Sequence, residues 1–333
     1  ATRTAIGAAG VTFYAVLWAA ASSDIIATHF WVTMEGVIHT LQALLFIGPA
    51  LLILGVLIVY PMVRTVIYSF GNLNTRLEVT RWIGFDNYTR LFTKDKSFLN
   101  LEDFPPSGAL ANNVKWMILY TSLSLVIGLL IAVLAARVRY ESLMKSIVFV
   151  PMAIAATAVA IIWKFVYEPD PNLGSLNAVI TTFGADPIAW YGRADTVNYA
   201  LIFAYVWAST GFAMVVISAA LKGISEEVIE AARTDGASEW GIFWRIQLPL
   251  LSLPLAVVTV WLLVNVIKVF DLIYVMTGGG PGGSSEVIAV TMVDEFGNGE
   301  GGYAAAIAVV MMLLIIPIMA FNIRRFRSER VTG

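Results

Sequence analysis

Apolar residues in this chain gather into long runs rather than helical stripes or alternating positions. Six runs, roughly 42–68, 114–136, 145–167, 197–221, 250–276 and 303–323, each exceed the ~20 residues that a helix needs to cross about 30 Å of hydrocarbon. A seventh candidate, 4–23, is diluted by Thr4, Thr12, Ser22 and Ser23. Residues 24–41 carry Asp24, His29, Glu35 and His39 among aromatics, and suit an interfacial helix or a short connection. Pro49, Pro61, Pro151, Pro254 and Pro317 fall inside the runs, where neighbouring helices and water re-satisfy the freed carbonyls. The pattern predicts an all-α fold, a polytopic membrane helix bundle. An N-terminal helix and connection occupy 1–41, a six-span core 42–325 with a polar loop at 222–249, and a basic tail 326–333.

Composition agrees: 59% of residues are hydrophobic and only 13% charged, against about a quarter charged in soluble domains. The net charge of −2 gives no reason to expect nucleic acid as a partner, and the lipid bilayer is the partner that the runs demand. The absence of cysteine excludes disulfides and thiolate metal sites, and the two histidines, ten residues apart, make no metal motif. Residues 5–22 have the composition of a signal peptide, but no small-residue cleavage site with a polar mature start follows. No catalytic residue is expected, since there is no HExxH, no GxSxG and no carboxylate pair within the runs. The glycine-rich stretch TGGGPGGSSE, 277–286, lacks the GK[ST] and the preceding strand of a phosphate-binding loop.

Charge sets an orientation. With the loop around Glu230 in the cytoplasm, that side carries Arg137, Arg139, Lys145, Lys222, Arg233, Arg245, Arg324, Arg325, Arg327 and Arg330. The other side's Arg76, Arg81, Arg90, Lys94, Lys96 and Arg193 are partly offset by acids, and 277–302 has no Lys or Arg at all. The positive-inside rule then places the C-terminus in the cytoplasm. Three loops lie outside: 69–113, with FPPSG as a rigid turn; 168–196, with Trp190 and Tyr191; and 277–302.

The polar segment 230–249 reads EAARTDGASEWGIFWRIQLP. Ser225 suits an N-cap, with Glu226 and Glu227 at the positive end of the helix dipole. Ala231 and Ala232 leave a low surface that a partner's backbone can approach, Gly236 ends the helix, and Ser238 starts a second one carrying Trp240, Phe243, Trp244 and Ile246. Pro249 redirects the chain into the next span. An amphipathic loop lying on lipid headgroups has a similar composition. It does not require Glu-Ala-Ala, three residues, Gly236, nine residues, Ile246, one residue, then Leu248 and Pro249.

That order and spacing resemble the cytoplasmic coupling loop of the membrane subunits of ATP-binding-cassette importers. The runs 145–167, 211–232 and 269–286 and the closing GGYAAAIAVVMMLLIIPIMAFNIRR look similar to permeases of carbohydrate importers, of the α-glucoside and maltose type. The resemblance implies half of a translocation pathway worked by alternating access in a bacterial or archaeal cytoplasmic membrane. It implies a second homologous permease, two ATPase subunits that carry ATP and Mg, and an extracytoplasmic sugar-binding protein, with no cofactor in this chain. It assigns ATPase coupling to Glu230, Ala231, Ala232, Asp235, Gly236, Ala237, Trp240, Phe243, Ile246, Leu248 and Pro249. Two departures stand out: one helix precedes the core, and the first external loop is short.

Polar residues in apolar spans are costly and become candidates for the substrate path. Asn265, Lys268 and Asp271 lie in one run, and Lys268 and Asp271, three apart, are expected to share a face, either as an ion pair or with Lys268 snorkelling to the interface. Tyr205, Ser209 and Phe212 lie in another run. The resemblance places Ser209, Phe212, Met152 and Ala156 at sugar-lining positions. An ion-coupled carrier would need intramembrane carboxylates in paired repeats, and Asp271 stands alone. A permease for glycerol phosphate or a similar anion would need several cations on the path, and Lys268 is the one strong nominee.

Overall fold

The computed structural model describes residues 42, 45–74, 76–136 and 138–332, with backbone alone over 325–332. The expected helix at 4–23, the connection at 24–41 with its histidines, and Arg137 lie outside the described residues. The chain divides into two units, residues 1–64 and 65–333. The boundary falls within α1, Leu45–Tyr68, which is apolar enough to span a membrane. It widens into a π-turn at Gly55–Val59, where the Tyr60 N–H reaches back to the Gly55 carbonyl. Pro61 follows at once; a wider turn accommodates a ring that cannot donate to the preceding turn.

The second unit begins with a small antiparallel hairpin, β1 Gly71–Leu73 and β2 Val79–Trp82, and a helical stretch over 86–94. Its long helices are α2 Ala109–Ala135, α6 Val197–Lys222, α9 Ser252–Ile267 and α12 Gly301–Thr332. Between them lie α3 Glu141–Phe149, α4 Ala156–Val166, α5 Ser175–Thr182, α7 Glu226–Thr234, α8 Glu239–Leu250, α10 Asp271–Thr277 and α11 Ile288–Gly297. The core is the parallel pair α2 and α6. A Cβ on Gly128 would stand 2.6 Å from the Ala213 Cβ and 3.1 Å from the Met214 nitrogen, so the two backbones touch there. In lipid, where apolar side chains gain nothing by leaving their solvent, such close approach is what holds helices together. Trp116, Tyr120, Leu201, Met214, Ile217 and Leu262 fill the rest of this core.

Two expected spans are not straight. The run at 145–167 is an elbow: its helical parts, Glu141–Ala153 and Ala156–Val166, meet at 103°. Pro151 sits in a 3-10 turn, and Ile154 and Ala155 are extended, with ψ of 134° and 141°. The run expected at 250–276 ends at Ile267; Lys268 and Phe270 leave helical geometry and α10 restarts at Asp271. It is also preceded by α8 at 66°, the bend falling at Leu251, two residues beyond Pro249. Among the described residues four helices are long and apolar enough to cross a membrane, or six if each bent pair is one span.

At the end that carries the glycine-rich loop, three buried asparagines do the fastening. Asn112 donates to the Ser284 and Glu286 carbonyls at 3.0 and 2.8 Å, and Asn198 donates to Ser284 at 2.6 Å while accepting from the Trp116 indole at 3.0 Å. Asn113 donates to the Val266 carbonyl at 3.2 Å and accepts the Ile288 amide at 2.8 Å. Gly278, Gly279, Gly282 and Gly283 all take positive φ, which lets the loop coil tightly enough for these contacts.

Beside this loop lies a charged cluster. Asp95 accepts from the Tyr303 hydroxyl at 2.5 Å and from Ser97; Arg90 lies 4.0 Å over the Tyr303 ring and 3.2 Å from Glu300. Burial pushes the Asp95 carboxyl up, but the bonds from Ser97, Tyr303 and the Phe98 amide together hold it below its ordinary range. Glu286 moves the other way: burial first, then Asp294, Asp95 and Glu295, raise it, and a 2.8 Å bond from Thr291 does not compensate.

Two predictions follow from this packing. Gly128→Leu should lower the detergent-solubilised protein's stability by about 1–3 kcal/mol, the usual range for overpacking, read as a fall in melting temperature. A folded-state carboxyl raised above its unfolded value gives stability that is full below the unfolded pKa and lost as pH rises through the folded one. Wild-type melting temperature should therefore carry a downward component above the ordinary Glu range of about 4.3 that Glu286→Gln removes. Superimposable pH profiles for the two proteins would count against it.

Candidate functional site

The polar segment folds as a helix, a glycine joint and a second helix. Ser225 stands at the N-cap of α7 with extended ψ of 131°, but its side chain makes no capping bond; Glu226 and Glu227 occupy the first turn. At the other end the Ala237 N–H bonds the Ala232 carbonyl and the Gly236 N–H bonds the Arg233 carbonyl, both at 3.0 Å. These are the two bonds of a Schellman stop, and they require Gly236 at φ +81°. Ser238 then caps α8, its hydroxyl accepting the Gly241 N–H at 3.2 Å. Arg233 spans the joint to Glu239 at 2.8 Å, and that carboxylate holds the guanidinium above its ordinary range.

Of the residues assigned to coupling, Glu230, Ala231, Asp235, Gly236, Ala237, Trp240 and Pro249 are exposed, and Ala232, Phe243, Ile246 and Leu248 are half-buried. Trp240, 71% exposed, meets Trp244 edge-on at 5.5 Å, and Phe243 completes the aromatic group. The residue that anchors the segment was not among those singled out: Ile242 is 2% exposed. A π-turn at Phe243–Gln247 precedes Pro249, as one precedes Pro61 in α1. Between this segment and the ends of α2, α3 and α6 opens a cleft of about 710 Å³ lined by Glu141, Lys222, Glu226, Glu230, Arg233 and Glu239, among others.

The residues proposed for a substrate path separate into groups. Phe212 stacks on Trp261 at 4.0 Å and 27°, and Asn265, one turn further along α9, donates to the Trp261 carbonyl at 2.8 Å. Tyr205 packs against Tyr120 at 4.8 Å, while the buried Ser209 hydroxyl is spent on the Tyr205 carbonyl at 2.6 Å. Met152 lies in the 3-10 turn of the elbow and Ala156 opens α4 just after it. Lys268 and Asp271 do not share a helix face: both are exposed on either side of the break, and no ion pair joins them. Trp261 escaped sequence reasoning because an aromatic residue inside an apolar run carries no polar signal. Asn112, Asn113 and Asn198 did carry one, as amides at the ends of apolar runs.

Residues 124–326, more than half the chain, match the family model of the binding-protein-dependent transport system inner membrane component. The osmoprotective compounds uptake permease protein GgtC of Synechocystis sp. is 42% identical over 290 residues, 86% of this chain and 99% of that protein. The alpha-glucoside transport system permease protein AglF of Rhizobium meliloti is 38% identical over 297 residues, 87% of this chain and 84% of that protein. The trehalose/maltose transport system permease protein MalF of Thermococcus litoralis is 30% identical over 288 residues, 86% and 94% of the two chains. Among solved structures, a chain of a bacterial alginate ABC transporter, in complex with its alginate pentasaccharide-bound periplasmic protein, superposes with a TM-score of 0.72. At 20% identity over 90% of this chain and 98% of the other, that likeness is one of fold. The chain therefore belongs to the family of binding-protein-dependent transport system inner membrane components, as a permease subunit.

Proposed function

We propose that this permease carries oligosaccharides, with α-glucosides such as maltose or trehalose as cargo, and that residues 230–249 are the seat of the ATPase subunits. The observation that carries the coupling role is the exposed helix–glycine–helix segment. Two backbone bonds, one side-chain cap and one ion pair make it stiff while leaving Glu230, Ala231 and Gly236 open to a partner. A stiff, accessible element transmits displacement to the spans on either side. The segment and the C-terminal tail face the cytoplasm of a bacterial or archaeal cell in this proposal. Two ATPase subunits bring ATP and Mg, a second homologous permease completes the path, and an extracytoplasmic binding protein delivers the sugar on the glycine-rich side. The Phe212–Trp261 stack with Asn265 offers a sugar an aromatic face and an amide, the pairing that positions polyhydroxylated ligands. The names of two of the relatives support an α-glucoside cargo; that of the Synechocystis protein favours an osmoprotective compound as a second reading.

The test is reconstitution of the chain with its partner permease, ATPase and binding protein in proteoliposomes. Labelled maltose and trehalose are offered beside glycine betaine. ATP-dependent sugar uptake is expected. Gly236→Asp puts a negative charge on the exposed joint of the proposed seat, and should lower uptake about tenfold or more, a loss of about 1.4 kcal/mol, with insertion unchanged. Uptake driven by an ion gradient without ATP would overturn the coupling role. ATP-driven uptake of glycine betaine alone would replace the cargo and leave the mechanism.

A further inference from the structure

The last turn of α6, just ahead of the polar segment, is tied to the start of the elbow by a compact cluster of charges. Glu141, the first residue of α3, bonds Lys145 one turn along its own helix and takes an ion pair from Lys222 at 3.0 Å. Lys145 also bonds the hydroxyl of Ser218, a buried residue of α6. One further contact fixes the other end of α3: a Cβ on Gly211 would stand 2.7 Å from the Val148 carbonyl. The pairs Gly211 with Val148, Ser218 with Lys145, and Lys222 with Glu141 run in opposite order along the two helices. α3 therefore lies antiparallel along the lower half of α6. Glu141 is the one acid in this tie, and it holds two cations that stand on different helices.

Beyond the elbow, α4 packs on α10, the short helix that restarts after the break at Lys268. A continuous chain of contacts thus leads from α7, through the end of α6 and the Glu141 cluster, into α3, around the bend, and on to α10. The link from α6 to α3 at the polar end is polar and made by four side chains: Ser218 buried, Glu141 and Lys145 half-buried, Lys222 exposed. The links at Gly211 and between α4 and α10 are packing.

We infer that Glu141 is a positioning residue for the transport stroke: through Lys145 and Lys222 it makes the elbow α3–α4 move with α6 when the polar segment is displaced. The inference rests on the coupling role proposed above for residues 230–249. Without the tie, α6 moves while α3 lags, and ATP is hydrolysed with less cargo moved.

The test uses the full reconstituted complex and reads labelled maltose transported per ATP hydrolysed, a ratio that a merely structural defect in assembly does not lower. Glu141→Gln, which keeps the shape and removes the charge, is expected to lower that ratio about fivefold, the scale of one net hydrogen bond. Glu141→Asp should recover most of it. Because the chain has no cysteine, Lys145→Cys with Ser218→Cys in the Glu141→Gln background offers a clean rescue by a short thiol cross-linker. The cross-linked complex should regain the ratio and lose it when a cleavable linker is cut. If Glu141→Gln fails to assemble, Lys222→Met together with Lys145→Met reports on the same tie. A wild-type ratio in whichever of these variants assembles would overturn the inference. Gly236→Asp serves as the separate control: if it too transports normally, the coupling role of 230–249 has failed, whereas if it alone is defective only the Glu141 tie has.

Discussion

A chain that lives in hydrocarbon has to find a partner inside itself for every backbone amide and carbonyl, and this one breaks its helices in places where that is hardest. The break after Ile267 opens the end of α9 in a stretch without proline or glycine. Its Val266 carbonyl is taken by the side chain of Asn113, whose own oxygen receives the first amide of α11. One amide thus closes the end of one helix and the beginning of another. With Asn112 and Asn198 fixing the glycine-rich loop between them, the whole end of the bundle depends on three side-chain amides contributed by α2 and α6. Leaving a buried polar group of this kind unpartnered costs about 1–3 kcal/mol, so the network stands or falls together.

The opposite end is built by different means. There the helix–glycine–helix segment is closed by backbone bonds and a serine cap, and the charged side chains lie on its surface or at the rim of a cleft. Amides buried at one end and charges at a wet rim at the other fit what each end has to do. The first holds a tightly coiled loop in place; the second must remain open to a soluble partner in the proposed mechanism.

Much of this was legible in the sequence. The long apolar runs marked α1, α2, α6 and α12 because length and hydropathy signal a span, but the same signal at 145–167 and 250–276 did not show that those runs bend or break. The joint of the polar segment was legible, since Gly236 and Ser238 act locally, on their own backbone; the missing Ser225 cap and the buried Ile242 were not. What escaped depends on tertiary partners. Pro151 marks the elbow only in retrospect, because Pro317 sits inside a helix that continues through it and Pro254 in the first turn of another. The break at Lys268 has no proline or glycine to announce it, and the side chain that bonds the Val266 carbonyl beside it comes from Asn113, some 150 residues away. Lys268 and Asp271 looked like neighbours on a helix that is not there. Gly128 looked like any other glycine in a run, yet it sets how closely the two central helices approach.

α6 runs 26 residues without a proline or a kink, from the buried Asn198 at one end to Lys222 at the other. At about 1.5 Å per residue it is a rod of roughly 39 Å, so a tilt of about 10° about its middle displaces each tip by about 3 Å. Its two ends are held by different kinds of bond, and its middle is wedged against α2 at Gly128. In the proposed stroke, a rod wedged near its middle acts as a lever. Small motion delivered to one end therefore arrives at the other with its direction reversed.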